Sequence, residues 1–274
     1  MNTKKPVLTV VVPGLLGLVM SAASAPGLAQ EPFDEIKVLV EINATDGDIG
    51  FHVLFDADAW RRVTIDDPSG KRLFQEKAKG TLVDQGLTEN FFESDEPLCD
   101  PSLVEEEDDL VVTLAEFQER FPAGLYIFTG KSNEGETLTD TALLTHNLPA
   151  APDIDAFDGT GNVPTADAVI EWAPGDDLGE CPFEGLIPDP SSVVEVGWEV
   201  VVEPEDEDAV SPERVFSVQL PASQTSVTVP QEFLDTYVAQ GVTVFKFEVG
   251  AIEESGNQTF SEGVFCTTEC PDDD

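Results

Sequence analysis

The chain has 274 residues, of which 55 are acidic and 13 basic, and its formal net charge is −42 at neutral pH. A surface this negative repels nucleic acid and anionic lipid, which excludes both as partners, and it attracts cations. Apolar residues make up 41% of the chain and 17 residues are phenylalanine, so the composition predicts packed cores and excludes a disordered acidic chain.

The first 29 residues predict export. Two lysines precede an apolar run from Val7 to Met20, and small residues then lead to Ala29. This order is typical of a signal peptide cleaved after Ala29. The alternative is an uncleaved membrane anchor, but Pro13 and Gly14 interrupt the short run, and a spanning helix needs about 20 apolar residues. We expect no membrane insertion after the leader is removed.

The acidic excess has two interpretations. The leader holds two of the 13 basic residues and no acid, so its removal takes the formal charge from −42 to −44. In salt as concentrated as seawater the Debye length is below about 8 Å, and the acids would then form a solvated, salt-adapted surface. The other interpretation is specific binding of a divalent cation to carboxylates. Composition alone leaves both interpretations open.

A proline-rich joint at residues 148–152 splits the rest of the chain into two halves of similar length. On both sides apolar and polar residues alternate, which is typical of half-buried strands. The predicted fold class is all-β, with two immunoglobulin-like antiparallel β-sandwiches in tandem and one short helix in the first. The predicted segments are a signal peptide (1–29), a β-sandwich domain (30–148), a second sandwich domain (149–266) and an acidic C-terminal tail (267–274).

In the first half, one short helix and a solvated acidic loop interrupt the strands. Thr113 and Glu116 have the spacing of a capping box, which places a helix at the residues that follow Thr113. The segment 90–109 contains two prolines and a dense acidic run, so we predict a solvated loop. Strands are predicted at 36–42, 51–55, 63–65, 73–74, 125–129 and 138–145.

The second half shows a longer pattern of core positions. A strand at 168–174 carries Trp172 near its end, and the next, at 194–202, alternates valine and Trp198 with glutamate. From Pro152 to Cys266, about 115 residues in all, this pattern resembles a fibronectin type III domain. The resemblance implies a seven-stranded sandwich that acts as a scaffold, with strands at 152–155, 168–174, 194–202, 216–220, 227–229, 245–251 and 260–265.

The sequence offers no catalytic motif. The chain has two histidines, His52 and His146, and His52 alternates with Phe51 and Val53, so we predict that it faces solvent. His146 ends a strand beside the joint. No nucleophile elbow, phosphate loop or zinc-protease motif is present, so we predict a protein that is not an enzyme.

Aspartates near the joint are candidate ligands for Ca2+, the one cofactor that the sequence suggests. Three of them follow the joint with a spacing that resembles a broken calcium loop. In the fibronectin-like topology, the loop after Trp172 lies at the end where the chain enters the domain, which brings two more aspartates close. The alternative is a solvated acidic hinge, and Asp46 and Asp48 form a second candidate or a plain turn. The ligand candidates at the joint are Asp153, Asp155, Asp158, Asp176 and Asp177.

Four cysteines in an exported chain are expected to pair, and three connectivities are possible. In the topology that the resemblance implies, the loop holding Cys181 faces the first half and Cys266 lies at the opposite pole. Bridged Cα atoms lie within about 7 Å, so a bridge between these two is disfavoured. We predict the pairs Cys99–Cys181 and Cys266–Cys270, with free thiols at the first pair as the alternative.

The leading hypothesis is a non-enzymatic binding or adhesion-type protein that is secreted, periplasmic or attached to the cell surface. Its expected partner is a protein or glycan at the cell surface or in the extracellular medium. The loops at 176–190 and 253–258 share one end of the fibronectin-like domain and are the expected contact surface. The alternatives are an enzyme acting on polysaccharide, or its accessory module, and a structural spacer in the cell envelope.

Overall fold

β-Strands make up most of the regular secondary structure of the chain. The computed structural model describes residues 30–107, 109–154, 162–206, 214–268 and 270, so the leader, its expected cleavage, and Asp155 and Asp158 lie outside the described residues. None of the described helices is long and apolar enough to cross a membrane. The α-helices are α1 (Thr81–Gln85), α2 (Leu114–Arg120) and α3 (Gln231–Val238), and 3-10 turns lie at Pro101–Leu103, Thr165–Asp167 and Pro190–Ser192. The strands are β1 (Gln30–Glu31), β2 (Glu35–Asn43), β3 (Asp48–Asp66), β4 (Arg72–Lys77), β5 (Leu87–Glu93), β6 (Gly124–Ser132), β7 (Thr137–Leu144), β8 (Asp153–Ile154), β9 (Val169–Ala173), β10 (Glu195–Pro204), β11 (Phe216–Pro221), β12 (Ser226–Thr228), β13 (Val244–Glu253) and β14 (Gln258–Cys266).

Most of these strands belong to one sheet of eleven strands. Nine strands follow one another in the order β1-β7-β6-β3-β2-β14-β13-β10-β11, and β4 and β5 pair with β3. A second sheet has the order β12-β9-β8. The pairs β1–β7 and β2–β14 are parallel, so the large sheet is mixed. The predicted predominance of β-structure is confirmed, but two separate sandwiches in tandem are not, because one sheet continues through both halves.

The strand β3 turns a corner in the first half. Its first part, up to Asp56, pairs with β2 and β5, and its second part, from Trp60, pairs with β6 and β4 and keeps one pair with β5, at Trp60. The register shifts between Asp56 and Trp60, and a strand that changes partners at such an irregularity forms the corner of a sandwich. The sequence predicted two strands here, whereas Ala57 and Trp60 are buried and continue the core across the bend.

Two separate hydrophobic cores lie behind these strands. The first contains Phe55, Trp60 and Phe128, and the second contains Trp198 and Phe265. The boundary between the cores does not follow the sequence. Leu178 and Cys181, which come from the loop after β9, are buried in the first core. The second half of the chain therefore completes the core of the first.

Several elements differ from the predictions. The helix α2 has the predicted capping box, with the Thr113 hydroxyl and the Glu116 carboxylate bonded to each other's backbone N–H. The prediction of a single helix in the first half is wrong, because α1 is also present, although it buries no residue. Residues 90–93, predicted to be loop, belong to β5. The helix α3 buries Leu234 and Tyr237 in the second core and was not predicted.

The strands implied by the fibronectin resemblance all have counterparts in the second half. They correspond in order to β8 through β14. Of these, β8, β9 and β12 form the small sheet, and β10, β11, β13 and β14 belong to the large one. Membership of that family stays a prediction.

Candidate cation site at the seam between the halves

The two halves meet where β14 pairs with β2, a contact that we call the seam. Gln258, Thr259 and Phe260 pair in parallel register with Glu41 to Asn43. The Ala44 amide N–H continues the ladder by donating to the Phe260 carbonyl at 2.8 Å. The last strand of the second half therefore extends the sheet of the first half.

A buried asparagine in the turn before β14 also stabilises the seam through hydrogen bonds. Asn257 is completely buried, and its Oδ1 accepts a hydrogen bond from the Val40 amide at 2.8 Å. Its Nδ2 donates to the carbonyls of Thr145 and Asn147 at 3.2 and 3.0 Å. One side chain thus satisfies backbone groups of β2 and of the segment leading into the joint.

A disulfide closes the seam on another side. Cys99 and Cys181 form a bond with a Cα–Cα distance of 5.5 Å, and Cys266 bonds to Cys270, so both predicted pairs are confirmed. Next to the first bond, the Glu180 amide donates to the Ala44 carbonyl at 3.0 Å. The loops that the sequence analysis offered as a contact surface therefore supply much of the seam.

An acidic depression, which we call the trough, lies along the seam. It is a cavity of about 180 Å3. Glu41 lies on β2, Asp48 begins β3 and Glu248 lies on β13, so residues from both halves line it. Side chains two positions apart on a strand share a face, which explains why Glu41 and Asn43 both reach it. Its lining residues are Glu41, Asn43, Asp46, Asp48, Glu96, Lys246, Glu248 and Phe260.

His52 lies beside the acids of the trough and is buried, so the prediction that it faces solvent is wrong. The residue is only 6% exposed, because Glu96 and the ring of Phe91 cover its face of β3. Its Nδ1 is 3.8 Å from Glu41 Oε2 and its Nε2 is 3.5 Å from Glu96 Oε1. Nε2 is enclosed and makes no hydrogen bond.

The environment shifts several pKa values in the trough. Burial raises the pKa of Glu41 to about 7, with His52 opposing and Glu96 adding to the shift. Burial also raises the pKa of Asp48 to about 7, with repulsion from Glu96 and Asp46. For His52, burial lowers the pKa, but the carboxylates of Glu96 and Glu41 outweigh that effect, so the pKa is raised. These acids are crowded and poorly solvated when charged.

A lysine neutralises the other end of the trough. Lys246 Nζ lies 3.0 Å from Glu248 Oε1 and 2.9 Å from Glu262 Oε2. Among the described residues, no other lysine or arginine forms an ion pair with an acid that lines the trough. The end formed by Glu41, Asp48 and Glu96 therefore has His52 as its basic partner.

The described aspartates of the site predicted at the joint do not line the trough. Asp153, Asp176 and Asp177 are exposed. The Asp177 carbonyl accepts a hydrogen bond from the Ala151 amide at 2.8 Å, so the loop does reach the joint as expected. Asp155 and Asp158 lie outside the described residues, so the predicted Ca2+ site at the joint stays a prediction.

Sequence reasoning missed the residues that the structure brings together. Among the described residues, one group of three His, Cys, Asp or Glu side chains has its possible ligand atoms within 4.8 Å of one another: Glu41, His52 and Glu96. Asp46 and Asp48, which the sequence offered as a second candidate cation site, both line the trough beside this group. Carboxylates and an imidazole in this arrangement can hold a divalent cation.

No protein-family model matches the chain, and no curated protein matches it. Among solved structures, one concerning host-cell surface retention of a 1.5-MDa bacterial ice-binding adhesin aligns at 13% identity over 84% of this chain and 63% of that one, with a TM-score of 0.26. A Ca2+-stabilised adhesin with which an Antarctic bacterium binds ice aligns at 13% identity over 84% and 48% of the two chains, with a TM-score of 0.26.

The human OSCAR ligand-binding domain aligns at 13% identity over 84% of this chain and 97% of that domain, with a TM-score of 0.23. The chain spans between about half and two thirds of the two adhesin structures. TM-scores this low mean that the backbones do not share one arrangement.

Proposed function

We propose that this chain is an exported, non-enzymatic binding protein that holds a divalent cation in the trough and binds a protein or glycan outside the cell. The observation that carries the proposal is the group of Glu41, His52 and Glu96, with ligand atoms within 4.8 Å of one another. All three ligand residues belong to the first half, but Glu248 of the second half lines the same trough and repels Glu41, so a cation there would relieve repulsion across the seam. The two disulfides support export, because such bonds persist in oxidising compartments.

Thermal unfolding of chelator-treated protein tests the cation requirement. Ca2+, Mg2+, Mn2+ and Zn2+ are titrated separately at fixed ionic strength, and we expect at least one to raise Tm saturably. An ion at 100 times its Kd adds about 2.7 kcal/mol to the free energy of unfolding. Glu41→Gln should weaken the response, whereas Glu134→Gln, at an exposed acid in the turn between β6 and β7, should leave it unchanged.

Arrays of glycans and extracellular proteins, probed with labelled protein, test the binding role. Signals should appear with the effective cation and disappear with chelator. If no ion gives a saturable rise in Tm, the acids serve only as a salt-screened surface and the proposal is wrong. If binding signals persist in chelator, the cation is not part of the binding function.

A further inference from the structure

We infer that the ion held in the trough is a divalent transition metal of the Zn2+ class, bound by His52 Nε2, Glu96 and Glu41, and not Ca2+. This inference rests on the proposed function and names its cation. Zn2+ accepts imidazole nitrogen and carboxylate oxygen together, whereas Ca2+ takes six to eight oxygen ligands. The nature of the buried ring therefore selects the class of ion.

The first argument is the state of the His52 ring. The residue is 6% exposed, and its Nε2 is enclosed without a hydrogen bond. A buried polar atom left without a partner costs about 1–3 kcal/mol. A metal bound at Nε2 supplies that partner, and the nitrogen already points towards the carboxylate of Glu96.

The second argument is the spacing of the ligand atoms. His52 Nε2 and Glu96 Oε1 are 3.5 Å apart. A hydrogen bond between them would place the two atoms at about 2.7–3.2 Å. Two ligands at 2.0–2.2 Å from a tetrahedral ion are about 3.3–3.6 Å apart, so the observed distance fits two ligands of one ion. Glu41, whose Oε2 lies 3.8 Å from the other ring nitrogen, Nδ1, belongs to the same group, in which one ligand atom per residue lies within 4.8 Å of the others.

The third argument is the glycine at position 50, which lies beside His52 Nε2 and Glu96 Oε1. A Cβ atom on Gly50 would lie 3.0 Å from both His52 Nε2 and Glu96 Oε1. The φ angle of Gly50 is outside the left-handed region, so the backbone does not require glycine at this position. The missing side chain instead leaves room beside the two ligand atoms.

Three protein ligands leave one position of a tetrahedral ion open towards the trough. Lys246 is engaged with Glu248 and Glu262 at the other end, so its ammonium group does not occupy that position. A water molecule or an oxygen of the bound partner can complete the coordination.

Co2+ is the probe for the test, because it enters Zn2+ sites and its visible absorption reports the ligand geometry. Chelator-treated protein is titrated with Co2+, then with Zn2+ and with Ca2+. We expect one equivalent of Co2+ to give a saturable band that Zn2+ abolishes and that excess Ca2+ leaves in place. The chain has two histidines, so nitrogen NMR should show the His52 ring shifting with Zn2+ while the His146 ring does not.

The variants separate ligand loss from general damage. His52→Gln and Glu96→Gln should weaken Co2+ binding at least about 100-fold, since even the loss of an indirect partner costs 10–100-fold. Gly50→Ala keeps every ligand but fills the space beside them, and it should weaken binding at least about tenfold. Glu134→Gln should bind like the unaltered protein, and circular dichroism checks that each variant is folded.

The outcomes distinguish this inference from the proposed function. If Ca2+ stabilises the protein while Co2+ and Zn2+ bind no better to it than to folded His52→Gln, the inference is overturned and the cation-dependent function stands. If Gly50→Ala and His52→Gln both bind Co2+ as tightly as the unaltered protein, the ion lies elsewhere and the inference is again overturned. If no cation binds at all, both the inference and the proposed function are wrong.

Discussion

Asn257 joins the two halves through both ends of its amide group. It is fully buried, accepts from Val40 and donates to Thr145 and Asn147. The backbone N–H of Asn257 donates to Glu253 Oε1 at 3.1 Å, which also stabilises the turn that carries Asn257. Because every polar atom of the side chain is engaged, no other residue of similar size replaces it without leaving a buried group unsatisfied.

We predict that Asn257→Ala lowers the free energy of unfolding by about 2–4 kcal/mol. The substitution leaves the Val40 amide buried without its partner and removes the donor to the Thr145 and Asn147 carbonyls. Urea unfolding followed by tryptophan fluorescence measures the change. Gln224→Ala, which removes an exposed amide, is the control and should change stability by no more than about 0.5 kcal/mol. Equal effects of the two substitutions would show that the seam does not depend on Asn257.

At the residue scale, the sequence could not identify the candidate site. Alternation along β3 assigned His52 to the solvent face because a strand with one buried face is the usual case. The structure covers both faces, with Phe51 in the core and His52 under Phe91 and Glu96. Glu96 is one of 55 acids, and nothing in its local sequence marks it.

The elements on either side of β3 have different tasks. On the core side, Phe121 at the end of α2 stacks on Phe51, with ring centroids 4.3 Å apart. His52 projects from the opposite face, since neighbouring residues of a strand alternate. The helix α2 therefore packs on the core face of β3, and the trough lies on the side of the opposite face.

We predict that Thr113→Ala lowers the free energy of unfolding by about 1 kcal/mol without changing cation affinity. The substitution removes the hydroxyl that caps α2, and such losses cost about 0.5–2 kcal/mol. Thermal unfolding and cation titration of the same preparation measure the two quantities. Thr137→Ala, at a threonine outside any helix cap, is the comparison. A large loss of cation affinity in Thr113→Ala alone would mean that the helix controls the trough directly.

At the element scale, local patterns predicted much of the fold. The capping box gave α2, and alternation gave most strands of both halves. The prediction failed at β5 because its polar residues and the acids after it look like a solvated loop. It failed at α3 because period-two alternation dominates the strands on either side, although Leu234 and Tyr237 have helical spacing and are both buried.

At the scale of the whole molecule, the disulfide Cys99–Cys181 joins residues 82 apart in the sequence and lies at the seam. The other disulfide closes a separation of only four residues near the end of the chain. Loop closure restricts the unfolded chain more when the loop is longer. The two bonds therefore differ in how much stability they contribute.

We predict that replacing both Cys99 and Cys181 by alanine lowers the free energy of unfolding by about 4–5 kcal/mol, as expected for a loop of this length. The matched control replaces Cys266 and Cys270, and the same relation gives about 2 kcal/mol. Urea unfolding of the two double variants gives the comparison. A greater loss from the Cys266–Cys270 pair would contradict the expectation that the disulfide closing the longer loop contributes more stability.

The pairing of the halves was not accessible from the sequence. The proline-rich joint predicted two sandwiches in tandem, tied by the Cys99–Cys181 bond and a candidate Ca2+ site, and the strands themselves were mostly assigned. Which strand edges meet depends on contacts between distant residues, and the β2–β14 ladder has only three residue pairs. No local pattern encodes a contact of that kind, so the trough that it creates was also unforeseen.

The long sequence separation between β2 and β14 has a consequence for how the protein folds. The hydrogen bond from Val40 to Asn257 spans 217 residues. The edge of β2 that pairs with β14 therefore stays uncovered until those residues have been synthesised. Contacts this distant form slowly, because the loop must close before any contact compensates for its entropy. A chain that stops short of Gln258 keeps β2 exposed as an open edge, which is a template for aggregation. The newly synthesised chain is therefore protected from aggregation at this edge only after β14 has been synthesised and has paired with β2.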